Sequence, residues 1–135
     1  MKFFFGKASK VEHNTLHPDL QLIFDSALAL DIMDFSIIEG YRSKQLQNRY
    51  FEIGRSKVQW PDGKHNKMPS TAGDAAPYIN RKVSWNKLHC CVLAGIILSC
   101  AARWGIKLRW GGNWDMDSEP ITDQDFQDLV HYELA

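Results

Sequence analysis

The chain has 135 residues, of which 44% are hydrophobic and 24% are charged. A chain of this length and composition can bury its own core without disulfides, so we expect a single soluble domain spanning residues 1–135. The 16 basic and 16 acidic residues cancel. That balance gives no electrostatic reason to expect nucleic acid or an anionic membrane as a partner.

The cysteines and the apolar segments indicate where the chain is made. Cys90, Cys91 and Cys100 share one apolar segment and match neither a CxxC metal site nor a disulfide framework, so we expect free thiols and a reducing compartment. The N-terminal residues lack the apolar core of a signal peptide. The longest apolar run, about 13 residues, is too short to cross a bilayer. The sequence therefore predicts synthesis in the cytoplasm without export.

The first half of the chain has the end signals of two helices. Apolar residues recur at helical spacing after Pro18, a residue suited to the first turn of a helix. Ser43 is a favourable N-cap, and Gly54 is a favourable C-terminal stop. The predicted elements are a helix at 18–30, a strand at 34–40, a helix at 43–53 and a long loop at 55–71.

The second half mixes strands with one long apolar helix. Its predicted elements are a strand at 72–78, a helix at 85–104 that stops at Gly105, a strand at 106–110, a loop at 111–120, a short helix at 122–128 and a strand at 131–134. We expect Gly73 to weaken the first of these strands. Helices and strands without a βαβ rhythm predict an α+β fold, with a small, largely antiparallel sheet packed against helices.

Two of the five histidines lie near carboxylates at a predicted strand or loop edge. These are His65, nine residues before Asp74, and His131, between Asp128 and Glu133. The remaining histidines are expected at the surface or at helix ends, where His is ordinarily found: His13, His17 and His89.

His65, Asp74 and His131 together supply two nitrogen ligands and one oxygen ligand. Three protein ligands with a fourth position open to water are typical of a catalytic zinc site. Asp128 precedes His131 in a D-x-x-H pair, which we expect to lie on one side of a helical or tight turn. In that position Asp128 is a candidate general base toward the attacking water.

Arg42 follows a predicted strand and a glycine in "IIEGYRS". Its planar fork suits a substrate carboxylate or a developing oxyanion. A surface ion pair with Glu39 explains the residue equally well.

An acidic stretch, "WDMDSEPITDQD", lies near the C-terminus. A second, hard cation such as calcium is one interpretation, and an exposed acidic loop is the other, because the spacing does not match an EF-hand. The candidate ligands are Asp115, Asp117, Glu119, Asp123 and Asp125.

Several motifs occur in an order that resembles a known family. They are "IIEGYRS", "GRSK", "KHNKMPSTAGDAAPYI", Trp85, "GIKLRWGGNWD" and "DLVHYEL". In this order the motifs resemble the phage endolysins of the M15 zinc peptidase family. Those proteins are L-alanyl-D-glutamate peptidases, related to the D-Ala-D-Ala carboxypeptidases and dipeptidases. Gly73 departs from the family, in which a β-branched residue is common at this position.

The resemblance implies one zinc ion per chain, with His65, Asp74 and His131 as ligands. It also implies that Asp128 is the catalytic acid/base and that Arg42 faces the substrate. The implied enzyme is a monomeric endolysin without a separate cell-wall-binding domain, which hydrolyses the L-Ala–D-Glu bond of peptidoglycan to lyse the host. It would be made in the host cytoplasm and reach the cell wall from the periplasm, after a holin-like partner permeabilises the membrane. The alternatives are a D,D-carboxypeptidase acting on D-Ala termini and a non-catalytic, zinc-stabilised binding module.

Overall fold

The computed structural model describes residues 2–135. It contains four α-helices and five strands, with a short 3-10 helix, Lys64–Asn66, in the long loop after α3. In chain order the helices and strands are α1 (Lys7–His13), α2 (Pro18–Ala29), β1 (Phe35–Glu39), α3 (Lys44–Glu52), β2 (Ala72–Ile79), β3 (Lys82–Val83), α4 (Lys87–Arg103), β4 (Leu108–Gly111) and β5 (Asp128–Leu134).

The five strands form one antiparallel sheet. Its main path runs β1-β2-β5-β4, and β3 pairs with the end of β2. The predicted α+β fold with a small antiparallel sheet is therefore confirmed. β2 and β5 are central, and Asp74 is directly opposite His131 in their register. Residues far apart in sequence thus become neighbours at the middle of the sheet.

The core lies between the sheet and two helices. α4 packs against β2, β4, β5 and α2, and the ring of Phe24 on α2 meets Tyr132 of β5 edge-on. Leu20, Ile23, Leu93 and Ile97 are fully buried in the same cluster. α4 contains the longest apolar run and buries one face of it, while Val92 on the same helix is 52% exposed. Within residues 2–135, no helix is long and apolar enough to cross a membrane.

The predicted helix ends are confirmed by their caps. The Ser43 hydroxyl accepts a hydrogen bond from the backbone N–H of Leu46 at the start of α3. Gly54 and Gly105 end α3 and α4 with positive φ angles of 79° and 69°, which glycine adopts without steric cost. α4 begins at Lys87, behind an Asn86 cap, so Trp85 lies outside the helix.

Three short elements were not predicted, namely α1, β3 and the 3-10 helix, and one predicted element is wrong. α1 and β3 lack the long periodic patterns on which the prediction depends. The segment predicted as a helix at 122–128 is a loop, and Asp128 already belongs to β5. The side-chain amide of Gln124 donates to the carbonyls of Gly111 and Phe126, and that of Gln127 donates to the carbonyl of Ile121. Side-chain bonds to the backbone thus replace helical ones.

An irregularity in β5 places Asp128 relative to His131. Trp110 of β4 pairs with Tyr132, but the next residue, Gly111, already pairs with Asp128. The extra residues on β5 break the two-residue alternation of a strand. The helical or tight turn predicted for the D-x-x-H pair is therefore wrong, since a β-bulge produces the pairing. A Cβ on Gly111 would overlap the Asp128 carbonyl, so glycine permits this approach.

Gly73 has a packing role that the sequence did not indicate. It pairs with Tyr132 in the sheet. A Cβ at this position would lie 2.9 Å from Phe24 Cε2 and 3.1 Å from Leu16 Cδ2, both in the core. The missing side chain makes room for the aromatic ring beneath the site.

Candidate active site

Three donor atoms meet at one point on the solvent side of the sheet. His65 comes from the 3-10 helix, Asp74 from β2 and His131 from β5. His65 Nε2 lies 3.2 Å from Asp74 Oδ1 and 3.3 Å from His131 Nδ1, and the third side of the triangle is 3.2 Å. His65 and His131 are buried, and Asp74 is 9% exposed.

The outer nitrogen of each imidazole is occupied by a hydrogen bond. Nδ1 of His65 donates to the backbone carbonyl of Gly40 at 2.7 Å. Nε2 of His131 donates to Oε1 of Glu133 at 2.9 Å. These bonds direct the other nitrogen of each ring toward Asp74, as the hydrogen-bond acceptors behind histidine ligands do in metal sites.

The triangle has the dimensions of a tetrahedral metal site. Ligands of a tetrahedral zinc ion with bonds of about 2.0–2.1 Å lie about 3.3–3.4 Å apart. The three observed separations are 3.2–3.3 Å. The residues present therefore fit a metal ion, which these three side chains would hold.

The charges of Asp74 on β2 and His131 on β5 stabilise each other. Burial raises the pKa of Asp74, but His65 and His131 outweigh it and hold that pKa well below its usual range. Burial lowers the pKa of His131, but hydrogen bonds to Asp74 and Glu133 outweigh it and raise the value to about 10. A metal ion held here would require the ligating nitrogen of His131 to be deprotonated.

Asp128 lines the same cleft as His65 and His131. Burial and the charge of Asp74 raise its pKa, while the two histidines and Arg42 oppose the rise. A carboxylate with a raised pKa suits a group that must accept a proton and then return it.

Arg42 is held in the cleft by two partners. Its Nε and Nη2 donate to the two carboxylate oxygens of Glu39 at 2.9 and 3.1 Å, and Nη1 donates to Oε1 of Gln47 at 3.0 Å. The ion pair with Glu39 considered from the sequence is therefore present. Arg42 nevertheless lines the cleft with Asp128, and one N–H on each Nη has no partner among the hydrogen bonds within residues 2–135.

The family model of the phage L-alanyl-D-glutamate peptidases matches residues 1–135. The chain belongs to this family. It is 34% identical over 120 residues to the L-alanyl-D-glutamate peptidase of Escherichia phage T5, covering 88% of this chain and 87% of that protein. A crystal structure of the Serratia marcescens L-Ala D-Glu endopeptidase ChiX matches with a TM-score of 0.80 and 26% identity, covering 98% of this chain and 90% of that chain. The resemblance predicted from the motifs is confirmed.

The structure of this family member shows two residues, Glu133 and Gln47, that orient site side chains and that the sequence analysis did not assign this role. Glu133 is buried; it accepts from His131 and, through Oε2, from Nη1 of Arg109 at 3.2 Å. The sequence did contain a signal for the contact between Glu133 and His131, because residues 131 and 133 share one face of a strand. No sequence pattern indicated the role of Gln47. It is fully buried, and its amide donates to the Val58 carbonyl, which ties the loop to Arg42.

The other histidines behave as predicted. His13 ends α1 and binds the carboxylate of Asp25, and His17 caps α2. His89 lies in the first turn of α4 and bonds to the Ser84 hydroxyl. The cysteines are free, also as predicted.

Part of the acidic stretch converges on one point. Carboxylate oxygens of Asp115, Asp117 and Asp123 lie within 4.8 Å of one another, and all three residues are exposed. Glu119 and Asp125 are not members of that cluster. Binding of calcium at this loop stays a prediction, and an exposed acidic loop stays the alternative.

Proposed function

We propose that the chain is an M15-type zinc peptidase that hydrolyses the L-Ala–D-Glu amide bond in the peptide stem of bacterial peptidoglycan. The main support is the triangle of donors formed by His65, Asp74 and His131, with sides of 3.2–3.3 Å. The names of the phage T5 and Serratia relatives, each a peptidase of this bond, support the substrate. We propose one zinc ion per chain at these three ligands.

In this proposal the side chains around the metal divide the chemistry. Bound zinc would supply Lewis-acid activation of the reacting groups. Asp128 takes a proton from the attacking water and returns it to the departing amine of D-glutamate, for which its raised pKa is suited. The free N–H groups of Arg42 donate to the oxygen of the scissile carbonyl as negative charge develops there.

Two alternatives are less well supported. A D,D-carboxypeptidase would use the same site on D-Ala termini, but both relatives are named for the L-Ala–D-Glu bond. A non-catalytic binding module needs only the metal ligands. A partly buried carboxylate with a raised pKa and an arginine in the same cleft favour an enzyme.

Host lysis is the biological role we propose. The relative from phage T5 supports a phage origin. We infer that the monomeric enzyme accumulates in the host cytoplasm and reaches peptidoglycan in the periplasm only after a holin-like membrane partner acts. Expression alone should then be tolerated by a bacterium, and permeabilisation should cause lysis.

The decisive experiment is digestion of purified peptidoglycan followed by analysis of the new amino termini. New D-glutamate amino termini are expected, and they should disappear with a chelator and return with added zinc. Release of free D-Ala would instead support the carboxypeptidase. Binding without any cleavage would support the binding module.

A further inference from the structure

The cleft contains positive charge that the proposed chemistry does not use. Arg55 and Lys57 follow α3 and line a cavity of about 320 Å³ together with His65, Asp128 and His131. Both cationic side chains are exposed. Neither makes an ion pair or a side-chain hydrogen bond with any of residues 2–135, although Asp62 lines the same cavity.

Arg42 differs from these two residues in its charge balance. Both carboxylate oxygens of Glu39 accept hydrogen bonds from its guanidinium. This pairing largely neutralises Arg42, so its attraction for a second carboxylate is reduced. An anionic group of a substrate is therefore more strongly attracted to the unpaired cations nearby.

Aromatic rings orient the two unpaired cations. The guanidinium of Arg55 lies 4.5 Å from the ring centre of Tyr50, and the guanidinium of Arg42 lies 4.9 Å from the same ring. Arg55 therefore shares an aromatic contact and a cavity with the arginine proposed to contact the scissile carbonyl. Cation–π contacts of this kind restrict a long side chain without consuming its hydrogen-bond donors.

Lys57 is connected to the metal ligands through a stack of rings. Its ammonium lies 4.5 Å from the ring centre of Phe126. The Phe126 ring stacks on that of Trp114, with the ring centres 6.0 Å apart and 9° between the ring planes. Trp114 in turn contacts the His131 ring, with centres 5.7 Å apart. The loop after α3 thus contacts the loop before β5 through Lys57 and Phe126.

We propose that Arg55, assisted by Lys57, is the specificity-determining residue that binds the free α-carboxylate of the D-glutamate. This inference rests on the proposed function, because that carboxylate is attached to the carbon bearing the departing amine. A group so close to the scissile bond must lie in the cleft beside Asp128 and His131. The guanidinium of Arg55 has a planar fork that can pair with both oxygens of a carboxylate.

The test compares two synthetic stem peptides that differ only at the D-glutamate α position, one with a free carboxylate and one with a carboxamide. Wild type should cleave the carboxylate peptide with the higher kcat/KM. Arg55→Gln should lower kcat/KM for the carboxylate peptide by about 10- to 100-fold and change the carboxamide peptide little. Lys57→Gln should show the same selectivity with a smaller loss.

Three control variants make the test specific. Arg49→Gln removes an exposed arginine that faces a separate groove along α3, so both peptides should be cleaved as by wild type. Lys64→Gln removes another cation of the same cavity, one for which the structure shows no aromatic contact among residues 2–135. Arg42→Lys should reduce cleavage of both peptides alike, since its proposed partner is the carbonyl common to both.

The possible outcomes separate this inference from the proposed function. If wild type cleaves neither peptide, the proposed function is wrong. If wild type cleaves both and Arg55→Gln lowers both by one factor, or lowers neither, Arg55 does not read the carboxylate. Selectivity lost in Lys64→Gln but kept in Arg55→Gln would also overturn the assignment. Zinc content and the melting temperature of each variant show whether it is folded.

Discussion

Glu133 accepts a hydrogen bond from Nε2 of His131 at 2.9 Å while its other oxygen accepts from Nη1 of Arg109 at 3.2 Å. Arg109 also donates from Nε to the backbone carbonyl of Trp114. The carboxylate is buried, and its hydrogen bonds and the charge of His131 lower its pKa against the effect of burial. Glu133 therefore stays ionised and keeps the Nδ1 of His131 directed at His65 and Asp74.

This contact predicts that Glu133→Gln weakens zinc binding without unfolding the protein. The amide is a weaker acceptor than the carboxylate and can rotate its NH₂ toward Nε2, which disfavours the metal-binding tautomer. We expect zinc affinity to fall about 10- to 100-fold. Competition with a chromophoric chelator measures the change. Asp25→Asn is the matched control, because Asp25 binds His13 at 2.8 Å and neither residue lines the cleft, so affinity should be unchanged.

A second prediction separates metal binding from proton transfer. Asp128→Asn removes the proposed base but none of the three ligands, so it should keep about one zinc per chain and lose most turnover. His131→Ala should lose both zinc and activity. Metal analysis together with peptide cleavage distinguishes the two variants. Near-normal rates in Asp128→Asn would show that another group is the base.

A third prediction concerns the bulge that places Asp128. A methyl group on Gly111 would overlap the Asp128 carbonyl and come within 3.0 Å of its Cβ. Gly111→Ala should therefore displace the carboxylate and lower kcat/KM about 10- to 100-fold while zinc remains bound.

Gly95→Ala is the control for this experiment. A Cβ at this exposed position on α4 meets nothing within 4 Å, so activity should be unchanged. The free energy of unfolding should rise by about 0.5–1 kcal/mol from helix propensity. Unchanged activity in Gly111→Ala would argue against placement by the bulge.

A fourth prediction concerns the buried hydroxyl of Tyr132. The side chain is 0% exposed, and its hydroxyl has no hydrogen-bond partner within residues 2–135. Since an unsatisfied buried polar group is destabilising, Tyr132→Phe should raise the free energy of unfolding by about 1 kcal/mol and leave activity intact. Denaturant unfolding measures the change.

Tyr78→Phe provides the comparison for Tyr132→Phe. Tyr78 also lies on the sheet, but its side chain is exposed, so the substitution should change stability by less than about 0.5 kcal/mol. A loss of stability in Tyr132→Phe would show that an internal water satisfies the hydroxyl.

The fold could be predicted where the signals are local. The cap at Ser43 and the stops at Gly54 and Gly105 are confirmed, because each depends on a few neighbouring residues. The helix predicted at 122–128 failed for the opposite reason. There the amides of Gln124 and Gln127 find backbone partners that only the folded loop provides.

The sequence by itself identified the side chains proposed to carry the chemistry: His65, Asp74, Asp128, His131 and Arg42 line two pockets that share Arg42 and Asp128. The residue types and the order of the motifs were enough to identify them, because the ability to donate a ligand atom or accept a proton is a property of each side chain. Only the tertiary structure decided the 3.2–3.3 Å triangle, the bulge at Asp128 and the support from Glu133. Those features depend on the register of β2, β4 and β5, which pairs residues as far apart as Asp74 and His131 through contacts that no local pattern encodes.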